Sequence, residues 1–389
     1  MKLRCSIAIL TTGRFHLLDL ARELAYLGHD VNFYSCVPRN RCIKFGLPID
    51  TWRPVPPPCY ALHKLAQLTT DARWTALIQT SLGLLLGWSV RRRVRRLDLL
   101  IALSGLTSRH NLSICRKAGA RLWIERGSRH YLSQIEILSR IPCDQGGQRP
   151  KFGSPANELL DYANADRIVV PAIHCVESFL EYGIDGKKLF RNPYGVDLSM
   201  FAPTEKPSAD IPPTIIMVGR WSYRKGCDLL VNAWRGMSKV KLLHVGPVDD
   251  CPLPDDENFQ HVDSVEQFRL RDYYGRSHLM ALLSREEGLA LVQAQALSCG
   301  LRLVCTDRTG GEDLGKMIST PGAVTVVPTE NVGAHKLAIQ RALAGALGEA
   351  AGIRNRLGAA AIELSWKAYG RRYSEAVRFD VANALIQQT

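Results

Sequence analysis

The chain alternates short apolar runs with amphipathic stretches that stop at glycine, and this rhythm restricts it to parallel sheets wrapped by helices. Cys5 to Leu10 is apolar, TTGRFH turns, and Leu17, Leu20, Ala21, Leu24 and Leu27 follow at helical spacing as far as Gly28. A second apolar run, Val31 to Tyr34, comes next, and the unit recurs with buried-strand candidates at 98–103 (DLLIAL), 120–124 (ARLWI) and 166–170 (DRIVV). Strand, helix and strand in this order build an α/β sheet.

The rhythm breaks at RNPYGVD (191–197) and at the Pro-rich FAPTEKPSADIPP (201–213), where proline and glycine argue against a helix. It resumes at TIIMV (214–218), with KLLHV, FQHV, HLMALL and LRLVC as the later strands, and SWKAYGRRYSEAVRFDVANAL reads as one long closing helix. A chain of 389 residues is long enough for two cores. The expected architecture is two Rossmann-like, doubly wound domains facing a cleft, residues 1–200 and 201–365, with residues 366–389 crossing back onto the first. Ligands of such sheets bind at the carboxyl ends of the strands.

Charge divides the chain further. Residues 1–200 hold 28 Lys and Arg against 16 Asp and Glu, whereas residues 201–389 hold 22 against 21, so the excess of +13 sits almost wholly in the first half. A basic half points to a polyanion or an anionic membrane surface. No nucleic-acid motif or aromatic-rich basic stripe accompanies it, and no nucleic-acid partner is expected. Eleven cysteines without C-x-x-C pairs or zinc spacing indicate neither a disulfide framework nor a structural metal. The N-terminus lacks a signal-peptide pattern, so a cytoplasmic location is expected. Residues 74–96 run apolar from Leu82 to Trp88 and then place five arginines within 91–96. This stretch is too short to span a bilayer. It reads either as a core helix with a solvated end or as an interfacial helix on anionic lipid, which would place the protein on the inner face of the cell membrane.

Two turns carry the chemistry. VGRWSYRKG (218–226) puts Arg220 and Lys225 between a strand and a helix that starts near Gly226. Cations there oppose the helix dipole and call for an anion; Arg224 reads as a solvated basic residue. SREEGLALVQAQ (284–295) puts Glu287 where a helix N-terminus would offer free N–H groups, with Gln295 eight residues on and on the same helical face. Such a turn suits an anion that also carries hydroxyls.

R-x(4)-K followed by glycine, then E-G-x-A-L-V, resembles the retaining glycosyltransferases of family 4, which have the GT-B fold. GRFHLLDLARELAYLGHDV, NPYGVD, TGGEDL and SWKAYGRRY resemble further family segments in the same order, so the likeness runs along nearly the whole chain. The resemblance implies a hexosyltransferase using a nucleoside-diphosphate sugar as donor, without cofactor or metal. Arg220 and Lys225 would hold the diphosphate, next to Gly13 and Gly219. Glu287 would grip the transferred sugar, and the backbone from Gly288 through Leu289, Ala290 and Leu291 would face phosphate or sugar. The family has a second glutamate where this chain has Gln295, which leaves two readings: a weaker neutral grip on the ribose, or an ordinary helix residue. His130 resembles the family's cleft histidine, with His110 as the alternative. Arg14, His16, Arg126 and Ser128 are acceptor-side candidates, Arg14 equally well belonging to a plain helix-start turn. The implied acceptor is a glycan or lipid-linked glycan in surface polysaccharide synthesis. A nucleotide-sugar epimerase of related fold and a non-catalytic sugar-nucleotide or nucleic-acid binder are the competing readings.

Overall fold

The computed structural model describes residues 3–69, 71–91, 97–107, 109–141, 155–208, 210–348 and 358–388. In the first half, β1 (Ser6–Thr11), α1 (Phe15–Tyr26), β2 (Asp30–Ser35), α2 (Arg39–Lys44), β3 (Trp52–Arg53), α3 (Pro57–Leu68), α4 (Ala72–Val90) and β4 (Leu99–Leu103) come first. They are followed by α5 (Arg109–Ala118), β5 (Arg121–Glu125), α6 (Tyr131–Ser139), α7 (Pro155–Asn164), β6 (Arg167–Val170), α8 (Ile173–Glu181) and β7 (Leu189–Arg191). These strands form a parallel sheet in the order β3-β2-β1-β4-β5-β6-β7.

The second half runs β8 (Thr214–Val218), α9 (Cys227–Trp234), β9 (Lys241–Val245), β10 (Phe259–Val262), α10 (Leu270–Gly275) and β11 (Leu279–Leu282). It continues with α11 (Leu291–Ser298), β12 (Arg302–Thr306), α12 (Gly311–Ile318), β13 (Val324–Val327), α13 (Val332–Gly348) and α14 (Trp366–Gln388). Its parallel sheet has the order β10-β9-β8-β11-β12-β13.

Both faces of the first sheet are buried, as a period of two requires. Ile7, Ile9, Leu99, Ile101 and Trp123 join the core under α1, which is continuous with that of the second half; Ala8, Leu10, Leu100, Ala102 and Ile124 join a separate core under α4. Strand order reverses between β1 and β4 and between β8 and β11, and the carboxyl ends beside such reversals are where sheets of this kind bind ligands. The turns after β1, β8 and β11 carry the residues singled out above. α14 lies on α1 and spans back across the first sheet: His29 Nε2 is 2.8 Å from Ser374 Oγ, and Trp123 Nε1 donates to Asp380 Oδ2 at 3.2 Å.

The strands expected from apolar runs are present. β3, β7 and β13 lie outside those runs. Each is two to four residues long, and β3 and β7 are the edge strands of the first sheet, too short for a sequence pattern.

Candidate active site at the domain cleft

The turn from β8 to α9 ends at Gly226, which caps the helix at φ +65°. A Cβ here would lie 1.9 Å from Leu283 O, so the turn is pressed against the end of β11. That contact brings Arg224 and Lys225 to the loop carrying Glu286 and Glu287. Lys225 Nζ pairs with Glu287 Oε1. Arg224 Nη2 lies 2.7 Å from Glu286 Oε2, and Arg285 forks onto Asp228 at 2.6 and 2.7 Å, tying the two turns a third time.

Arg224 is therefore not the solvated residue expected from the sequence. Its partner Glu286 is fully buried and reaches the other domain, where its Oε1 accepts from Ser128 Oγ and, at 3.0 Å, from Gln134 Nε2. Burial alone would raise the Glu286 carboxyl, but Arg224 and the two donors outweigh it and hold it below its ordinary value. The sequence reading passed over Glu286 and Gln134. The signal available was the pair of doublets, Arg224-Lys225 and Glu286-Glu287, one basic and one acidic, on facing turns.

The segment 283–290 crosses the cleft before any helix forms. α11 starts at Leu291 with Ala290 as N-cap, so Glu287 lies ahead of the helix and the same-face argument linking it to Gln295 does not hold. The reason is a backbone contact between domains: a Cβ on Gly288 would lie 1.8 Å from Gly127 O, and Gly288 O accepts from His174 Nε2 at 2.9 Å. The Glu287 N–H donates to Arg308 O at 3.1 Å and the Ala290 N–H to Thr309 O at 3.4 Å, while Leu289 and Ala290 are buried. Gln295 is buried on α11, its Oε1 accepting from Tyr274 Oη at 3.2 Å. Together with Leu291 it lines a cavity of about 210 Å3 that Arg14, Phe15, Asp197 and Gln267 also border.

The remaining candidates separate. Arg220 is exposed at the carboxyl end of β8, its Nη1 3.5 Å from Asp249 Oδ2, next to Gly219. Arg14 stacks over Phe45 at 3.5 Å from the ring centre and faces the cavity. Gly13 is covered by the ring of Phe15, 2.9 Å from where a Cβ would stand. His16 is buried, with Nε2 2.8 Å from Glu125 Oε2 and its ring 4.3 Å from that of Tyr194. Arg126 is held within the first domain by Arg129 O at 3.0 Å and Gln134 Oε1 at 2.6 Å.

His130 does not face the cleft. Its ring stacks on Tyr182 at 4.4 Å and meets Phe179 and Tyr162 at 5.1 Å, and burial pushes it down to about 4. An apolar box accounts for this histidine, and no sugar contact is assigned to it. His110 belongs to α5, and its side chain lies outside the described residues. Among the described residues, no cluster of three or more His, Cys, Asp or Glu could hold a metal ion.

The arrangement offers an ammonium already paired with a carboxylate on the turns after β8 and β11, and an exposed guanidinium on the first of those turns. An entering anion can take Lys225 and Arg220, freeing Glu287 to accept from hydroxyls.

Comparison with known proteins finds likeness to glycosyltransferases. Residues 212–344 match the family Glycosyl transferases group 1. The chain is 30% identical over 171 residues to a component of the phosphatidylinositol N-acetylglucosaminyltransferase of Arabidopsis thaliana, an alignment covering 40% of this chain and 38% of that protein. It is 28% identical over 202 residues to the D-inositol 3-phosphate glycosyltransferase of Xylanimonas cellulosilytica, covering 45% of this chain and 48% of that one. The chain thus spans less than half the length of these relatives. Over 97% of its length it superposes on 99% of a glycosyltransferase from Rickettsia africae, with a TM-score of 0.66 and 14% identity. HepE of Anabaena in complex with UDP aligns over 96% of this chain and 99% of its own, with a TM-score of 0.61 and 13% identity. The fold is GT-B, with two facing parallel sheets and a helix that crosses back.

Proposed function

On the premise that this chain carries a group-1 glycosyl transferase domain, we propose that it moves a hexose from a nucleoside-diphosphate sugar to a hydroxyl of a glycan or lipid-linked glycan, with retention at the anomeric carbon, as in family 4. The observation that carries this reading is the Lys225–Glu287 pair on the two turns beside the strand-order reversal. In the transfer, the bond from the anomeric carbon to the diphosphate oxygen breaks and its electron pair leaves with the diphosphate. Lys225 and Arg220 offset the charge that grows there, usually the largest single catalytic contribution. No resident metal or cofactor is needed for that role.

Glu287, released from Lys225, accepts from the sugar hydroxyls and orients the anomeric carbon toward the acceptor oxygen, which forms the new bond while its proton passes to the departing diphosphate or to solvent. Gln295, held by Tyr274 at the edge of the 210 Å3 cavity, would make neutral hydrogen bonds to the nucleoside. That HepE, of the same fold, is in complex with UDP supports a nucleoside-diphosphate donor. A surface polysaccharide intermediate carried on lipid is the acceptor class that suits the basic first half.

The test is a panel of nucleotide sugars incubated with the full chain, with and without a lipid extract, reading nucleoside diphosphate release and the anomeric configuration of the product by NMR. Release that depends on acceptor, with configuration retained, is expected. Donor conversion to an epimer without acceptor would replace this reading with epimerisation, and inverted product would remove retention.

A further inference from the structure

α4 is apolar on both sides, and one of them joins the core. Ile78, Leu82, Leu86 and Val90 point inward and join the core against Ala8, Leu10 and Tyr34. On the outside, Trp74, Leu77, Leu84 and Trp88 are 63, 59, 44 and 50% exposed. Their positions step by three, seven and four, which places them in one stripe along the helix. The stripe runs most of a helix about 28 Å long. Leu65 and Leu68 of α3, the helix packed against α4, are 50 and 70% exposed as well.

Charge selects what covers this face. Between residues 54 and 97 the one acidic residue is Asp71, and its carboxylate is occupied capping α4, accepting from the N–H groups of Arg73 at 2.7 Å and Trp74 at 3.1 Å. Lys64, Arg73 and Arg91 stand exposed around the stripe. A second copy of this chain would bring two strongly basic halves together, which like-charge repulsion opposes. An apolar stripe with basic residues at its margins and tryptophans near both ends suits the boundary between acyl chains and anionic headgroups. Among the described residues no helix is long and apolar enough to cross a membrane, so the helix would lie in the surface.

We propose that the outer face of α4, with the end of α3, is a docking surface for an anionic lipid bilayer. The inference does not rest on sugar transfer, because lipid binding requires no turnover.

The full chain is sedimented with unilamellar vesicles of phosphatidylcholine alone and of phosphatidylcholine mixed equally with phosphatidylglycerol. Binding to the anionic vesicles only is expected, weakening from 0.1 to 1 M salt as the screening length falls from about 10 to about 3 Å. The variant Trp74→Ser/Leu77→Ser/Leu84→Ser should bind roughly a hundredfold more weakly, with the parent's unfolding midpoint and the parent's nucleotide-sugar turnover. Absence of binding to anionic vesicles, or undiminished binding by the variant, would overturn the proposal. So would a dimer in light scattering that the variant converts to monomer. Vesicle binding without turnover of any donor would leave it standing and remove the transferase reading instead.

Discussion

Glu286 and Glu287 are neighbours in sequence, each paired with a cation of the facing turn, but Glu286 is wholly buried between domains whereas Glu287 keeps some exposure. Glu286 is buried between domains, and Glu286→Gln keeps an oxygen for Ser128 while removing the charge that faces Arg224. Breaking a buried pair costs about 3–5 kcal/mol, and the half-exposed Arg224 reduces the expected loss to about 1–3 kcal/mol in a denaturant titration. Lys225→Ala and Glu287→Ala break a pair whose side chains are 22 and 12% exposed, so a loss of about 1–3 kcal/mol in a denaturant titration is expected beside the effect on transfer. Their transfer rates should fall by about 10²–10³ if Lys225 offsets leaving-group charge and Glu287 holds the sugar. Equal activity in parent and both variants would dissolve the site. Gly288→Ala should impair stability and transfer together, because the added carbon would force the turn away from Gly127, and overpacking of this kind costs about 1–3 kcal/mol.

At the scale of elements, the closing helix is the clearest test of how the halves are held. Asp380 of α14 accepts from Trp123 Nε1 at 3.2 Å and pairs with Arg167 Nη2 at 2.9 Å, joining the helix to β5 and β6. Asp380→Ala leaves an indole N–H and a guanidinium without that partner, and a loss of about 2–4 kcal/mol is expected from thermal or denaturant unfolding. A change below about 0.5 kcal/mol would mean that water replaces the carboxylate at little cost.

This helix was legible because Tyr369, Tyr373 and Val377 recur at helical spacing over many residues, and β8, TIIMV, was legible as a short apolar run. α11 was misjudged at its start for the converse reason. EGLALV has the composition of a helix, yet Gly288 must first meet Gly127 of the other domain, a tertiary constraint that local propensity does not carry. The same limit applies to His130: a histidine after a strand looks the same in sequence whether its ring faces a cleft or, as here, Phe179 and Tyr182.

For the whole molecule, buried titratable groups set how stability changes with pH, and the two directions have different sources. Burial pushes His29, His130 and His174 down to about 4, so from about 6.5 downward the unfolded chain binds protons that these folded residues refuse. Their contribution to stability is therefore intact above about 6.5 and is lost as the pH falls toward 4. Asp161 acts oppositely: burial holds its carboxyl up at about 8, so the folded chain keeps a proton that the unfolded chain has released, and stability falls as the pH rises toward 8. Between 4 and 6.5 three histidines outnumber this one carboxyl, while between 6.5 and 8 Asp161 changes alone among the four. Thermal unfolding should then have its highest midpoint near pH 6.5. Asp161→Asn, whose amide oxygen can still accept from the Gly105 N–H as Asp161 Oδ2 does at 2.8 Å, should flatten the alkaline side and leave the acidic side as it was. An alkaline decline that persists in the variant would assign that limb to another group.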